Sequence, residues 1–224
     1  MLPVSIIILT KNEERNIERC VASVNNLTDD IQVTDSGSTD QTIPLATDMG
    51  AQVRSVQWEG YAKTKNKANT KSKFDWILSL DADEEISAEL RSSLHTLFSK
   101  TPPENTAYRI KRKLVYCGQV LHYGSVGHEY RLRLFNKKNA CWNEQAVHED
   151  IAFNKGVSIQ TLQGVLWHYS YYSIEEHHER TEHYARLFAQ QKIALGIRYP
   201  FYKKYVSALF GFIKNYLFRL GLLD

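Results

Sequence analysis

Apolar runs alternate with helical patterns along the first 100 residues. Residues 4–9 form a continuous apolar run of strand length, which is typical of a strand covered on both faces. Apolar residues then recur at helical spacing from Ile17 to Val24. The same criteria predict, in order, a strand from Ile31, a helix capped by Asp40, a strand over 52–58, a helix over 61–72 and a strand over 75–80.

This alternation predicts an α/β fold with right-handed crossovers and a mainly parallel sheet covered by helices on both faces. In such sheets, ligands bind outside the carboxyl ends of the strands. Three polar loops, at 10–13, 35–40 and 81–83, directly follow predicted strands. We therefore expect these loops to meet at one edge of the sheet.

The pattern changes after residue 100. Residues 108–114 and 130–135 alternate between polar and apolar positions, which indicates antiparallel or mixed strands with one solvated face. Residues 173–176 form a capping box that opens a long helix, predicted to end at Leu195. The predicted organisation is one domain over 1–196, whose halves 1–100 and 101–196 share a sheet, and a tail over 197–224.

Composition narrows the class of protein. With 43% hydrophobic and 24% charged residues, the 224-residue chain is globular, and its net charge of +3 is too small to argue for nucleic acid. The three cysteines match neither a zinc pattern nor a disulfide framework, which suits a reducing compartment. We expect neither a secretory signal nor a transmembrane helix.

The most informative motif is Asp81-Ala82-Asp83, which closes the apolar strand 76–80. Residues two apart in an extended chain point the same way, so the two carboxylates can converge on one cation. Oxygen ligands favour Mg²⁺ or Mn²⁺, ions that are commonly shared with substrate phosphates. The alternative is a solvated acidic turn that leads into a helix at Ser87.

The loop after the second strand suits a nucleotide. Asp35 can accept a bond from a uracil N–H or a ribose hydroxyl, while Ser36 and Ser38 leave the backbone accessible. The alternative is simply a good turn, which the same composition predicts. Glu13 is either a second polar contact near the nucleotide or a favourable acid at a helix start.

Several lysines lie in the polar helix before the strand that leads to Asp81. Lys65 can offset diphosphate charge as a mobile point charge. The alternative for this and the neighbouring lysines is a solvated helix face.

In combination, these motifs resemble a family 2 glycosyltransferase with the GT-A fold, a Rossmann-like mixed β-sheet flanked by helices and here followed by C-terminal amphipathic helices. The resemblance rests on 5–13, 35–40, 65–66 and 75–84. Residues 131–135 and 147–149 are similar to the bacterial lipopolysaccharide core β-glucosyltransferases that extend inner-core heptose.

The resemblance implies a nucleotide-sugar donor, UDP-glucose, and a divalent cation, Mg²⁺ or Mn²⁺. It implies that Asp83 binds the metal and that Asp81 holds the ribose or assists the metal through water. His168 could complete the metal site, or could equally be a buried, hydrogen-bonded histidine. The donor site implied in this way comprises Thr10, Glu13, Asp35, Ser36, Ser38, Lys65, Asn66 and Asp81.

Members of this family usually invert the anomeric centre by direct displacement, which requires a base for the acceptor hydroxyl. Glu149 is the favoured candidate because 147–149 matches the subgroup, and Asp150 follows it. Glu129 is the rival, although the subgroup tends to carry Asp near that point. The alternative for 147–150 is a surface turn.

The resemblance also implies a lipid-linked oligosaccharide acceptor. Basic clusters at 109–113 and 131–133 suit its phosphate and carboxylate groups, or are ordinary solvated strand faces. From Arg198 onward, five basic residues and one acid accompany apolar and aromatic residues at helical spacing. Such a tail can lie on a membrane surface, here the cytoplasmic face of a Gram-negative inner membrane, or pack on its own domain or a second copy.

Two other classes of protein remain as alternatives. A nucleotidyltransferase usually carries a glycine-rich loop after its first strand, whereas residues 10–13 contain no glycine. A non-catalytic protein that binds a nucleotide sugar or a membrane would not need the intact pair Asp81 and Asp83. The sequence carries no signal for the oligomeric state.

Overall fold

The structure is a computed structural model that describes residues 1–143, 151–197 and 200–224, without the side chains of Phe201 and Lys204. Strands and helices alternate through its first half, as the apolar pattern predicts. The elements there are β1 (Val4–Thr10), α1 (Ile17–Val24), β2 (Ile31–Asp35), α2 (Thr42–Asp48), β3 (Gln52–Ser55), α3 (Tyr61–Thr70), β4 (Trp76–Asp81), β5 (Glu84–Ile86) and α4 (Ala88–Phe98).

Longer strands and helices follow in the second half. The elements there are β6 (Thr106–Tyr116), β7 (Gln119–Val120), β8 (Glu129–Asn136), β9 (Ala140–Trp142), β10 (Ile151–Phe153), β11 (Ser158–Tyr171), α5 (Ile174–Ala194) and α6 (Phe201–Ile213), then a π-helical turn over Lys214–Phe218 and a 3₁₀ turn over Gly221–Leu223.

Among the described residues, nine strands form one mixed sheet in the order β3-β2-β1-β4-β8-β6-β11-β5, with β7 paired to β6. The first four strands are parallel, whereas β8 runs antiparallel to β4. The predicted mixed sheet is therefore confirmed. Strand β3 ends at Ser55 rather than at 58, and a separate two-stranded sheet pairs β9 with β10.

The sheet is covered on both faces around β1. Ile6 and Ile8 pack into one apolar cluster with α1 and α4, while Ile7 lies in a second cluster with Ile77 and Phe135. All seven residues of β1 are buried. Two-sided burial explains why this strand has no polar alternation.

Polar side chains stand at the starts of three helices. Before α2, the Asp40 carboxylate accepts a bond from the Thr42 backbone N–H at 3.0 Å, but the N-cap residue is Gln41 rather than the predicted Asp40. Ser87 caps α4 by accepting a bond from Leu90 N–H at 3.1 Å. Ser173 likewise caps α5 through the Glu176 N–H. These caps supply partners for backbone donors that the first turn of a helix leaves unpaired.

The chain divides into two compact units. The first comprises 1–112 and 130–168, and the second comprises 113–129 and 169–224. The second unit contains α5, of which no residue is buried, and a cavity of about 630 Å³ with mainly apolar and aromatic walls. None of the helices within the described ranges has the length and apolarity that crossing a bilayer requires.

We expect Gly164 in β11 to be required for stability. Its φ is +99°, and a Cβ there would lie 2.3 Å from the backbone nitrogen of Leu90 at the start of α4. Gly164→Ala should therefore lower the free energy of unfolding by about 3 kcal/mol or more, because strain and a backbone clash combine. Urea unfolding followed by circular dichroism measures the loss.

Gly156→Ala is the matched control. Gly156 also has a positive φ, +92°, but a Cβ there meets nothing within 4 Å. Its expected loss is about 1 kcal/mol, from backbone strain alone. Equal losses in the two variants would contradict the role of the Leu90 contact.

Candidate active site

The three polar loops meet at the carboxyl edge of the parallel strands. In the strand register, Thr10 pairs with Asp35 and Leu9 pairs with Asp81. Backbone bonds continue past the strands, from Ser36 N–H to Thr10 O at 3.0 Å and from Ala82 N–H to Leu9 O at 3.2 Å. The prediction that these loops converge is confirmed.

The loop after β2 folds around the buried carboxylate of Asp35. Asp35 accepts hydrogen bonds from the backbone N–H of Gly37 at 2.9 Å and of Ser38 at 3.0 Å, and from the Ser38 hydroxyl. The Ser36 hydroxyl donates to Thr10 O. The turn interpretation therefore describes how this loop is built, and a nucleotide contact by Asp35 stays a prediction.

The loop after β1 is tied to the same turn. Asn12 has a left-handed backbone, with φ of +55°, and its side chain accepts a bond from Thr39 N–H at 2.8 Å. The Glu13 N–H donates to the Thr42 hydroxyl at 2.7 Å, while the Glu13 carboxylate accepts from the Asn16 amide. Loops 10–13 and 35–40 thus form one cross-linked rim.

Asp81 carries two ion pairs. Its Oδ1 lies 3.0 Å from Lys65 Nζ, and its Oδ2 lies 2.5 Å from Arg133 Nη2. Burial alone would raise the pKa of Asp81, but the charges of Arg133 and Lys65 outweigh burial and hold this pKa well below its ordinary value of 3.8. Asp81 is therefore ionised, and each of its oxygens already has a cationic partner.

Lys65 is a buried residue rather than a mobile surface charge, so that expectation is wrong. Its side chain is 1% exposed, and Nζ lies 4.4 Å from the centre of the Trp142 ring as well as beside Asp81. The next residue, Asn66, exchanges two hydrogen bonds with the Trp142 backbone, at 2.8 and 2.9 Å. Together Lys65 and Asn66 fasten α3 to β9 and to the end of β4.

Glu84 is buried, which excludes the solvated acidic turn at this position. It accepts a bond from the Asp81 N–H at 3.0 Å and pairs with Arg133 at 2.5 Å and Arg112 at 3.4 Å. Burial raises the pKa of Glu84 above its ordinary value, and the carboxylates of Asp81 and Asp83 add to the rise, while Arg133 opposes it. Arg133 is buried and Arg112 is largely buried, and both pair with Glu84, so neither belongs to the solvated basic clusters proposed for the acceptor.

Asp83 has a different environment from Asp81. Its Oδ2 lies 3.1 Å from Nε2 of His168, and each side chain is 18% exposed. This pairing arises because β5 runs antiparallel to β11, which sets His168 opposite Glu84 in the register. This contact fits both histidine interpretations, since His168 is hydrogen-bonded and also lies beside the candidate metal ligand Asp83. Its metal role stays a prediction.

These two side chains fit the chemistry of a divalent cation. A carboxylate oxygen and an imidazole nitrogen suit Mn²⁺, and the carboxylate suits Mg²⁺. Within the described ranges, no three His, Cys, Asp or Glu side chains converge as a complete protein cage would. A site with two protein ligands leaves positions for phosphate oxygens and water, as Mg²⁺ sites commonly do.

The three candidate bases lie in the second half of the chain. Glu149 and Asp150 lie outside the described residues. Glu129 begins β8 and belongs to the second compact unit. The assignment of a base stays a prediction for all three.

Sequence reasoning missed Arg133 and Glu84 as site residues. Arg133 occupies a polar position in an alternating strand, which predicts solvent, yet it is 3% exposed. In the structure, residues 133–136 of β8 are all buried, so this part of the strand is covered on both faces. The signal in the sequence for a buried cation was the spacing of Asp81 and Glu84, two acids that flank a turn after a buried strand and would need a positive partner.

We expect Asp81→Asn to destabilise the protein by about 3 kcal/mol at pH 7, because two buried cations lose their partner. A carboxyl whose pKa is lowered by folding stabilises the native state above its ordinary pKa and loses this effect as the pH falls. The difference between wild type and variant should therefore shrink below about pH 4. Urea unfolding at pH 7, 4 and 2.5 measures it.

Asp75→Asn is the control for this experiment, since Asp75 pairs with Lys138 at 2.7 Å on the surface. Its expected effect is below about 1 kcal/mol. A pH-independent difference between wild type and Asp81→Asn would contradict the assigned ionisation of Asp81.

Comparison with known proteins places this chain in a family. The family description "Glycosyl transferase family 2" matches residues 5–177. An uncharacterized glycosyltransferase of Rickettsia typhi is 33% identical over 227 residues, which cover 98% of this chain and 78% of the relative. The lipopolysaccharide core biosynthesis glycosyltransferase LpsC of Rhizobium meliloti is 30% identical, over 99% of this chain and 83% of LpsC.

Two solved structures are also similar, each over part of its length. TarS of S. aureus gives a TM-score of 0.43 at 23% identity, covering 51% of this chain and 36% of that one. Glucosyl-3-phosphoglycerate synthase from Mycobacterium tuberculosis, in complex with Mg²⁺ and UDP, gives 0.43 at 22% identity, covering 61% and 57%. Given the family match over most of its length and its mixed sheet flanked by helices, the chain has the GT-A fold and belongs to glycosyl transferase family 2.

Proposed function

We propose that this glycosyltransferase is an inverting, metal-dependent enzyme that transfers glucose from UDP-glucose to an inner-core heptose of lipopolysaccharide. The acceptor class is supported by the similarity to LpsC over 99% of the chain. The donor sugar is supported by the resemblance of 131–135 and 147–149 to core β-glucosyltransferases. A different lipid-linked or surface polysaccharide acceptor is the second candidate, since 30% identity is compatible with a change of acceptor.

The observation that carries the proposal is the division of roles between two carboxylates at the end of β4. Asp81 is occupied by Lys65 and Arg133, whereas Asp83 contacts only His168 among the described residues. We assign Asp83 and His168 as the ligands that would hold Mg²⁺ or Mn²⁺. When bound, the cation supplies positive charge that stabilises the departing diphosphate.

The donor nucleotide is assigned to the rim built by loops 10–13 and 35–40. Thr10 Oγ1 is a buried hydroxyl with no hydrogen-bond partner among the described residues. Asp35 and Ser38 hold the backbone of their turn in place, which prepares the rim before a ligand arrives. Asp81, whose two oxygens pair with Lys65 and Arg133, assists the metal through water in our proposal.

The transfer step is a single displacement. The acceptor hydroxyl oxygen forms a bond to the anomeric carbon while the bond from that carbon to the diphosphate oxygen breaks, and a carboxylate takes the hydroxyl proton. Glu149 is our first candidate for the base, with Asp150 and Glu129 as alternatives. Attack by the acceptor oxygen on the face opposite the diphosphate inverts the anomeric centre, so the base must lie on that face to reach the hydroxyl proton.

We expect Asp83→Ala to lower the rate of glucose transfer by about 100-fold or more, because the donor diphosphate loses its charge stabilisation. The variant should keep its fold, since among the described residues Asp83 contacts only His168, and both side chains are partly exposed. Release of UDP from UDP-glucose, with and without Mn²⁺ and acceptor, measures the activity. A thermal-shift assay should show stabilisation by UDP-glucose with Mn²⁺ in wild type and little in the variant.

Asp75→Asn again serves as the control, with wild-type turnover expected. GDP- and dTDP-sugars test the donor assignment, since they should stabilise wild type less than UDP-glucose. Normal turnover by Asp83→Ala would refute the metal role. UDP release without transfer to any heptose acceptor would direct the search to the second acceptor class.

We further propose that the second compact unit docks on the cytoplasmic face of a Gram-negative inner membrane. Between Glu182 and Asp224 the sequence has seven Lys or Arg and no Asp or Glu. Large apolar side chains are exposed throughout α5 and α6, including Phe188 at 56%, Leu209 at 62% and Phe210 at 62%. Cations together with exposed aliphatic and aromatic side chains favour binding to a membrane surface that contains anionic lipid.

Reversal of two charges should weaken membrane binding. We expect Lys203→Glu with Lys214→Glu to reduce binding to vesicles of phosphatidylglycerol and phosphatidylethanolamine by about tenfold or more, since each cation near an anionic surface contributes about 1 kcal/mol. Co-sedimentation measures binding. The control, Lys71→Glu with Lys100→Glu, changes exposed lysines of the first unit by the same charge and should bind as wild type. Equal binding by both double variants would contradict the assigned surface.

A further inference from the structure

Arg133 lies on β8 beside the end of β4. The two strands pair antiparallel, with Leu134 opposite Leu78, so the neighbouring Arg133 reaches the turn that follows β4. Its side chain is 4% exposed. A buried guanidinium needs carboxylate partners, because desolvation of an unpaired charge is costly.

The partners of Arg133 lie on both sides of one turn. Its Nη2 is 2.5 Å from Asp81 Oδ2 and 2.5 Å from Glu84 Oε1. The other oxygen of Glu84 accepts the backbone N–H of Asp81 at 3.0 Å. Arg133, Asp81 and Glu84 therefore close a ring of polar contacts around the turn 81–84.

Asp83 lies inside this closed turn. The ring uses the residues before and after it, and leaves its carboxylate directed at His168, 3.1 Å away. Glu84 also sits opposite His168 in the β5 and β11 register. The same ring that fixes Glu84 therefore fixes the distance between Asp83 and His168.

We propose that Arg133 is a positioning residue: it closes the turn 81–84 and thereby presents Asp83 and His168 together to the divalent cation. This inference rests on the proposed metal-dependent function. It differs from a purely structural role, because the nucleotide rim at 10–13 and 35–40 is held by its own hydrogen bonds. Removal of Arg133 should impair cation binding and leave metal-free nucleotide binding unchanged.

The test compares Arg133→Met with wild type in the full chain. Isothermal titration measures UDP binding without metal, and Mn²⁺ electron paramagnetic resonance measures Mn²⁺ binding in the presence of UDP. For Arg133→Met we expect at least a tenfold loss of Mn²⁺ affinity and less than a twofold change in metal-free UDP affinity. Arg133→Lys should recover part of the Mn²⁺ affinity, because an ammonium restores the charge without the planar guanidinium.

Arg54→Met is the matched control, because Arg54 has an exposed side chain on the edge strand β3, and this variant should bind both ligands as wild type. Wild-type Mn²⁺ affinity in a folded Arg133→Met variant would overturn the inference, as would a parallel loss of metal-free UDP binding. Should Arg133→Met fail to fold, Arg133→Lys carries the test: weaker Mn²⁺ binding with unchanged UDP binding supports the inference, and wild-type binding of both overturns it. Failure of wild type itself to bind Mn²⁺ would contradict the proposed function instead.

Discussion

The structure depends on the neutralisation of Asp81 at the end of the central strand β4. A helix supplies Lys65 and a neighbouring antiparallel strand supplies Arg133, so residues remote in sequence converge on one carboxylate. Each cation is buried and each would be costly without its partner. This requirement holds α3, β4 and β8 in one arrangement, and the loops that the strands carry are fixed with them.

Two carboxylates only two residues apart acquire different chemistry from this constraint. Asp81 lies between two cations, which lowers its pKa, whereas Asp83 contacts only the His168 imidazole among the described residues. Environment rather than residue type thus distinguishes the two carboxylates, as in other sites that use paired acids. In our proposal a cation binds at Asp83, which has no Lys or Arg partner in the described part of the chain, next to an Asp81 whose charge is balanced from within the protein.

The sequence was sufficient for the first four strands and for the convergence of their loops, because apolar runs and helical spacing report burial directly. It was insufficient to predict the burial of Lys65, Arg133 and Glu84, because residues of a buried ion pair give the same polar pattern along the chain as a solvated face. Strand β5 has three residues, which is too short for any periodicity, and it exists through pairing with β11, some 80 positions later in the chain. Such long-range pairing leaves no local signal in either segment.

The distribution of charge explains why a net charge of +3 is a poor guide to partners. Seven of the 28 basic residues lie between Glu182 and Asp224, and all 25 acidic residues lie outside that stretch. The segment is therefore strongly cationic while the remainder of the chain carries a slight excess of acid. In the first compact unit, buried cations form ion pairs with the carboxylates of the site. In the second, the cationic segment also exposes apolar and aromatic side chains. A buried cation with carboxylate partners orders the site, whereas exposed cations beside apolar surface have the character that our membrane proposal requires.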